Sequence, residues 1–225
     1  MPTLNATKWG YMGGISSQTF SSARESNAIT VANNPSNTPV SISYTATAGR
    51  GSLTHRIFRS FFTFNTSGIT ATPSTATLNF RTGTVPASVP VIAVKSSAFG
   101  GSNSNLVASE FFNNVAFGTD LSSATQITTS NPFSLTLNST ARTNIKNQSW
   151  FIVAVVDYVN DDQNTAATTA TSNKSFINWS TTPYLDYTLP STSDISSVNG
   201  IALADISSVN SIAIADIASI NGVSN

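Results

Sequence analysis

The feature that most constrains the fold is the segment at residues 58–65, the densest apolar stretch of the chain. Its apolar and polar residues alternate, and successive side chains of a strand point to opposite faces. One face would carry Phe58, Ser60, Phe62 and Phe64. Burying each phenylalanine would contribute roughly 2–3 kcal/mol. The segment therefore predicts a central strand with this face in the core and with Arg59 opening the opposite face.

The composition favours a β-rich protein with a neutral surface. The chain has 225 residues, enough for one large all-β domain or for a domain with an appendage. Charged residues make up only 9 % of it, against about a quarter in typical soluble domains. Ser, Thr and Asn fill the surface instead, as in many extracellular and virion proteins. This composition argues against a helical cytosolic protein.

Charge and cysteine content exclude several function classes. Ten basic and ten acidic residues cancel, so no field draws the protein to nucleic acid or to anionic membranes, and neither is an expected partner. The absence of cysteine excludes disulfides, thiolate zinc sites and a cysteine nucleophile. Residues 1–8 lack the apolar segment of a secretory signal, and no apolar run could span a bilayer. We expect synthesis without a cleaved signal peptide.

Further alternating segments at residues 40–46, 76–81 and 133–137 predict strands. The apolar run at residues 150–158 predicts a strand that is covered on both faces. Asn138 and the two residues after it offer a cap for a short amphipathic helix at residues 141–146. About eight to ten strands without βαβ alternation predict an all-β fold, a jelly-roll-like β-sandwich over residues 1–190.

Residues 191–225 form a separate tail that repeats with a period of 11, with units starting at Asp194, Asp205 and Asp216. An 11-residue period can indicate a right-handed helical coil. Asn199-Gly200, Asn221-Gly222 and the β-branched residues favour a β-repeat of strand, turn and strand instead.

The apolar positions of the tail recur in every unit, and one unit cannot bury its own apolar face. The tail is therefore predicted to be an assembly element, a homotrimeric β-prism or β-helix, or a plug in a partner protein. The alternative is a short solenoid folded back on the sandwich. The predicted assembly residues are Ile195, Val198, Ile201, Leu203, Ile206, Val209, Ile212, Ile214, Ile217 and Ile220.

The segment at residues 59–65, followed by Ile69 and residues 74–80, resembles the DNRLRE family of carbohydrate-binding-module-like jelly rolls. The likeness extends loosely over residues 10–190, to residues 133–135 and to the closing segment at 183–187. It implies a jelly-roll fold and, more weakly, a carbohydrate ligand. Asn65 departs from the aspartate that is more usual there, and the expected signal peptide is absent.

The tail resembles the Ile-Ser-x-Val-Asn-Gly repeats of structural proteins from marine and other tailed phages. Together these features predict a surface-exposed phage virion protein, a decoration protein or a tail-fibre component, assembled through its repeats and in contact with other virion proteins. The alternative function is a glycan-binding adhesin or receptor-binding module on such a particle.

No catalytic arrangement is recognisable. Glu25 and Glu110 are far apart in sequence, and the aspartates show no acid–base pair of the glycosidase kind. His55 is the sole histidine, more typical of a strand edge than of a catalytic base, and no Ser-His-Asp arrangement is visible. We therefore expect a protein that is not an enzyme.

Two binding sites remain as hypotheses. Asp157, Asp161 and Asp162 offer enough oxygens for a structural calcium ion, with a solvated acidic loop as the alternative; no other cofactor is expected. Sugar binding needs exposed aromatic rings beside polar groups, and the candidates near turns are Trp9, Tyr11, Trp179 and Tyr184. Core packing is the alternative for each of these rings.

Overall fold

A computed structural model describes residues 2–17, 19–35, 40–49, 51–82, 89–127, 132–176 and 181–190, and six two-residue strands beyond them. The chain separates into two compact units, Met1–Thr188 and Leu189–Asn225. The boundary lies two residues before the one predicted at Pro190.

The first unit is built mainly from strands. They are β1 Thr3–Asn5, β2 Lys8–Gly14, β3 Ala28–Asn33, β4 Val40–Ala48, β5 Leu53–Asn65, β6 Thr75–Phe80, β7 Pro90–Ser96, β8 Val115–Asp120, β9 Thr125–Gln126, β10 Phe133–Thr136, β11 Trp150–Asp157, β12 Thr171–Phe176 and β13 Tyr184–Thr188. The helices are α1 Phe20–Glu25, α2 Glu110–Asn113 and α3 Ser139–Asn147, with a 3₁₀ turn at Phe99–Gly101 and a π-helical turn at Tyr158–Asp162.

These strands form two antiparallel sheets. The smaller sheet has four strands in the order β1-β13-β6-β10. The larger has nine: β12-β4-β5-β11-β7-β8 in order, with β2, β3 and β9 attached. The main core lies between the sheets, where Phe62 and Phe64 of β5 pack with Leu78 of β6 and Leu185 of β13. The predicted all-β sandwich is confirmed.

Strand β5 is the centre of the larger sheet. It pairs with β4 over Leu53–Phe58, with β2 over Phe58–Thr63 and with β11 over Ser60–Asn65. It thus begins earlier than the predicted segment, because the first half of the strand is paired with β4. The residue between the pairings to β4 and β11 is Arg59.

The larger sheet is buried on its second face as well. Phe61, Ile152 and Val156 pack there with Phe111 of α2 and with Phe99, and these side chains form a second apolar cluster. Seven of the eight residues of β11 are buried, which confirms the prediction of a strand covered on both faces. The Arg59 side chain therefore lies in a second core and is not exposed to solvent.

Helix α3 begins at Ser139, directly after the predicted cap residue Asn138 and two residues before the predicted start of the helix. The Asn138 side chain accepts a hydrogen bond from the Ala141 amide at 3.0 Å, and this satisfies one of the free donors of the first turn. Ala141 and Ile145, four residues apart, are both fully buried. The helix thus packs one apolar face against the sandwich core.

The structure of the second unit is described at three short hairpins. They pair β14 Ser197–Val198 with β15 Ile201–Ala202, β16 Ser208–Val209 with β17 Ile212–Ala213, and β18 Ser219–Ile220 with β19 Val223–Ser224. All three have the same register and recur every 11 residues. Five predicted assembly residues lie in these strands: Val198, Ile201, Val209, Ile212 and Ile220. Ile195, Leu203, Ile206, Ile214 and Ile217 lie outside the described residues.

Candidate functional site

The outer side of the four-stranded sheet carries a surface of polar side chains. Leu185 of β13 is fully buried in the core, so its neighbours Tyr184 and Asp186 point away from the core. The strand registers place further residues beside them on the same side. We call this surface the polar face: Thr3, Asn5, Thr77, Asn79, Ser134, Thr136, Tyr184 and Asp186.

Hydrogen bonds hold the polar face in a defined arrangement. The Thr3 hydroxyl donates to Asp186 Oδ1 at 2.6 Å, and Asn79 Nδ2 donates to Asp186 Oδ2 at 3.2 Å. Ser134 donates in turn to Asn79 Oδ1 at 2.6 Å. One network therefore joins all four strands of the sheet and fixes the Asp186 carboxylate.

Tyr184 is the aromatic member of this face. It pairs with Asn5 on one side and with Asn79 on the other, and its side chain is half-buried. A partly exposed ring beside amides, hydroxyls and a carboxylate offers stacking together with hydrogen-bond donors and acceptors. This arrangement has the chemistry that recognition of a sugar requires.

The other predicted sugar-binding residues are not gathered around Tyr184. Trp9 and Tyr11 lie on β2 of the larger sheet and pack against the core between the sheets. Tyr11 is 7 % exposed, and burial raises the pKa of its hydroxyl. Core packing, the alternative considered for these rings, describes Tyr11, while Trp9 is half-buried. Trp179 lies outside the described residues.

A buried ion cluster occupies the second core. Arg59 is fully buried and donates to both carboxylate oxygens of Asp161, each at 2.7 Å, through Nε and Nη2. It also donates to the Arg24 carbonyl at 2.9 Å and to the Phe111 carbonyl. One side chain thus connects β5, α1, α2 and the π-helical turn.

Arg24 completes this cluster. Its Nε donates to the Asp161 carbonyl at 2.8 Å, and its guanidinium lies 4.1 Å from the centroid of the Phe117 ring. Arg59 stacks in the same way on Phe111, 4.0 Å from that centroid. Aromatic faces attract cations most strongly where water is excluded. We call Arg24, Arg59, Asp161 and these two rings the arginine cluster.

The acidic segment predicted to bind calcium is used for this packing instead. Both oxygens of Asp161 bind Arg59, and Asp157 accepts a hydrogen bond from the Asn160 amide at 2.7 Å. All three aspartates are buried, so the segment is not the solvated loop considered as the alternative. Within the described ranges, no three acidic, histidine or cysteine side chains gather in a way that could hold a metal ion.

Asp162 is the least satisfied member of the acidic segment. It is 7 % exposed, and its Oδ1 has no hydrogen-bond partner among the described residues. Loss of hydration on burial raises the pKa of this carboxyl, and the nearby charges of Asp120 and Asp161 raise it further. Hydrogen bonds from Gln163 and from the Gly118 backbone act in the opposite direction.

The residues most suited to acid–base chemistry also have structural partners. His55 is buried, and its Nδ1 lies 2.7 Å from the Tyr44 hydroxyl, which accepts from the Ala167 amide. Burial lowers the pKa of His55 and favours the neutral ring. Glu110 accepts hydrogen bonds from the Gly100 and Val107 amides at 2.8 and 3.0 Å. Each group is held by the protein around it.

Asp186 and the Arg59–Asp161 pair were not singled out in the sequence. The alternation of Tyr184, Leu185 and Asp186 could have placed Asp186 beside Tyr184, since a strand alternates its faces. The Arg59–Asp161 pair joins residues 102 positions apart, and no local pattern marks such a pair.

The chain matches no known protein family and no curated protein. Among the described residues, no helix is long and apolar enough to cross a membrane.

Proposed function

We propose that this protein is a structural component of a phage particle, assembled through its C-terminal repeats. The observation that carries the proposal is the tail of three hairpins with one register and an 11-residue period, in a unit separate from the sandwich. Structural repeats bury their apolar faces by stacking on neighbouring units, and further copies of the tail could supply such units.

The size of these hairpins supports an assembly role. Each described hairpin pairs only two residues per strand, and an isolated two-stranded hairpin is marginally stable at best in water. One repeat unit cannot bury its own apolar residues, so neighbouring units or other chains would bury them. We propose a homotrimer of tails as the assembly that supplies this burial.

The sandwich suits display on a particle surface. The chain alternates between the two sheets from β5 to β6 to β7 and again from β10 to β11, which supports a jelly-roll topology. The low charge content and the hydroxyl-rich composition support a virion protein, and the tail sequence resembles phage repeats. Surface decoration and a fibre component are the two roles consistent with this arrangement.

Removal of the tail tests the assembly role. Light scattering at several concentrations should give a trimer for the full chain and a monomer for residues 1–188, with the same sandwich circular dichroism. Ile201→Ser with Ile212→Ser should weaken assembly, whereas Ala202→Ser with Ala213→Ser, one position along, should weaken it less. An unchanged oligomeric state after truncation would refute assembly through the tail.

The polar face favours a second function, glycan binding. Its Tyr184 ring, its fixed Asp186 carboxylate and its amides and hydroxyls match the groups of a sugar. On a glycan array, Tyr184→Ala should abolish binding without loss of stability. Tyr184→Phe should retain most of it, because the ring is kept. Binding that is equally strong in Tyr184→Ala would exclude the polar face as the site.

A further inference from the structure

A groove lies on the larger sheet, between β4, β5 and the chain at β12. Its volume is about 510 Å³, within the range of roughly 300–1,000 Å³ that is typical of ligand pockets. Five of its lining residues carry hydroxyls: Ser43, Thr45, Thr47, Thr171 and Ser172. Arg56, Phe58 and three alanines, Ala46, Ala48 and Ala170, complete the lining, so we call this site the Arg56 groove.

The strand register puts these groups side by side. Thr45 lies opposite Arg56 and Ser43 opposite Phe58 in the β4–β5 pairing. Ser172 lies opposite Thr45 in the β12–β4 pairing. Cross-strand partners point to the same side of a sheet. Strands β4 and β12 therefore contribute hydroxyls to one surface, beside the guanidinium that β5 contributes.

Among the described residues, Arg56 is held in place by stacking and not by an ion pair. Its guanidinium lies 4.6 Å from the centroid of the Phe58 ring. The ring itself lies over Gly13 of β2, where a Cβ atom would come within 2.4 Å of Phe58 Cε1. The absence of a side chain at Gly13 thus leaves space for the ring that supports the guanidinium.

The charge of Arg56 is uncompensated in the part of the chain that the structure describes. There the ion pairs involve only Arg24 and Arg59, both with Asp161. The Nε of Arg56 is covered and has no hydrogen-bond partner among the described residues. An unsatisfied covered donor is unfavourable. The guanidinium is therefore stacked in the groove and unpaired among the described residues, and its positive charge favours an anion there.

We propose that the Arg56 groove binds an anionic saccharide, whose acidic group pairs with the stacked Arg56 guanidinium and whose hydroxyls bond to the surrounding Ser and Thr side chains. A guanidinium pairs with carboxylate, sulfate and phosphate oxygens through two parallel hydrogen bonds. Carboxylate and sulfate sugars share this chemistry. The site lies on a different sheet from the polar face and goes beyond the glycan binding proposed there.

Calorimetry on the full chain tests the proposal with three probes: a galacturonate trisaccharide, a sulfated galactose oligosaccharide and a neutral galactose trisaccharide. We expect at least one anionic probe to bind tenfold or more tightly than the neutral one. Comparison of the two anionic probes shows whether the groove prefers a carboxylate or a sulfate. Arg56→Gln should abolish this preference. Arg81→Gln removes the same charge from an exposed site outside the groove and should leave the preference intact.

Gly13→Ala provides a test of positioning. The added methyl group displaces the Phe58 ring, so it should weaken anionic binding while the charge of the protein is unchanged. Tyr184→Ala should leave anionic binding intact, because it alters only the polar face. If the neutral trisaccharide binds as tightly as the anionic probes and its binding depends on Tyr184, the groove is refuted as a site. Glycan binding at the polar face would then still be supported. Failure of all three probes, or equal losses in Arg56→Gln and Arg81→Gln, would also refute the groove.

Discussion

Arg59 shows how one residue can organise the contacts of a sandwich. It lies where β5 changes its pairing from β11 to β4, and its guanidinium binds the three segments that cover the second face there. Removing two charges from water is costly unless both are well paired. The bidentate contact to Asp161 and the two carbonyl acceptors supply that pairing, so the cluster tolerates burial.

Replacement of Arg59 should be among the most destabilising changes in the chain. Arg59→Met removes both hydrogen bonds from Arg59 to the buried Asp161 carboxylate and leaves only Arg24, 3.5 Å away, as its ion-pair partner. We expect a loss of roughly 3–5 kcal/mol in the free energy of unfolding. Urea denaturation measures this loss. The control Arg81→Met at an exposed site should change stability by no more than about 0.5 kcal/mol. A loss below about 1 kcal/mol for Arg59→Met would contradict the assigned role.

Asp162 should make stability depend on pH. The pKa of Asp162 in the folded protein is raised above the ordinary value of 3.8. At pH values between 3.8 and this raised pKa, the folded state binds more protons than the unfolded chain. The free energy of unfolding therefore falls as pH rises through this window. Asp162→Asn removes the titration and should be more stable than the original protein at pH 7, with little difference at the acid end of the window. An equal advantage at both pH values, from parallel denaturation curves, would exclude this explanation.

The short helix α3 depends on its cap. Asn138 accepts from the Ala141 amide at 3.0 Å and donates to the Asp120 carbonyl at 2.8 Å. Asn138→Ala should cost roughly 0.5–2 kcal/mol. Asn138→Ser keeps the capping oxygen and loses only the donor. Its thermal unfolding temperature should therefore lie between those of Asn138→Ala and the original protein. Equal losses for both variants would show that the contact to Asp120, and not the cap, provides the stability.

At the scale of single elements, the sequence was most informative where one period dominates. The alternation around Phe62 predicts β5, the uninterrupted apolar run predicts the doubly covered β11, and the polar cap predicts α3. Each signal depends on residues within one element. The acidic segment is different, because whether its carboxylates face solvent, a metal ion or Arg59 depends on another strand.

At the scale of the whole molecule, the charges are unevenly divided. Residues 1–193 contain ten basic and seven acidic residues, whereas the tail contains three aspartates and no basic residue. Tails that associate with one another bring like charges together. At 0.1 M ionic strength, salt largely screens the repulsion between exposed charges that lie more than about 10 Å apart, and at higher salt this distance shortens.

Self-association through the tails should therefore strengthen with salt. We expect sedimentation experiments to show a larger fraction of oligomer at 0.5 M than at 0.05 M sodium chloride. Residues 1–188 should show no such change. Oligomers that dissociate as salt rises would point instead to a tail that binds the basic sandwich unit of another copy.

The sequence by itself determined several of the strands, the capped helix, the all-β class and the repeating tail, because period and capping depend on neighbouring residues. Only the tertiary structure decided that Tyr11 is buried while Tyr184 joins the polar face, that Asp161 binds Arg59, and that Arg56 remains unpaired among the described residues. These outcomes depend on which distant strands meet. Side-chain burial and charge pairing depend on these contacts between distant strands, which no local sequence pattern predicts.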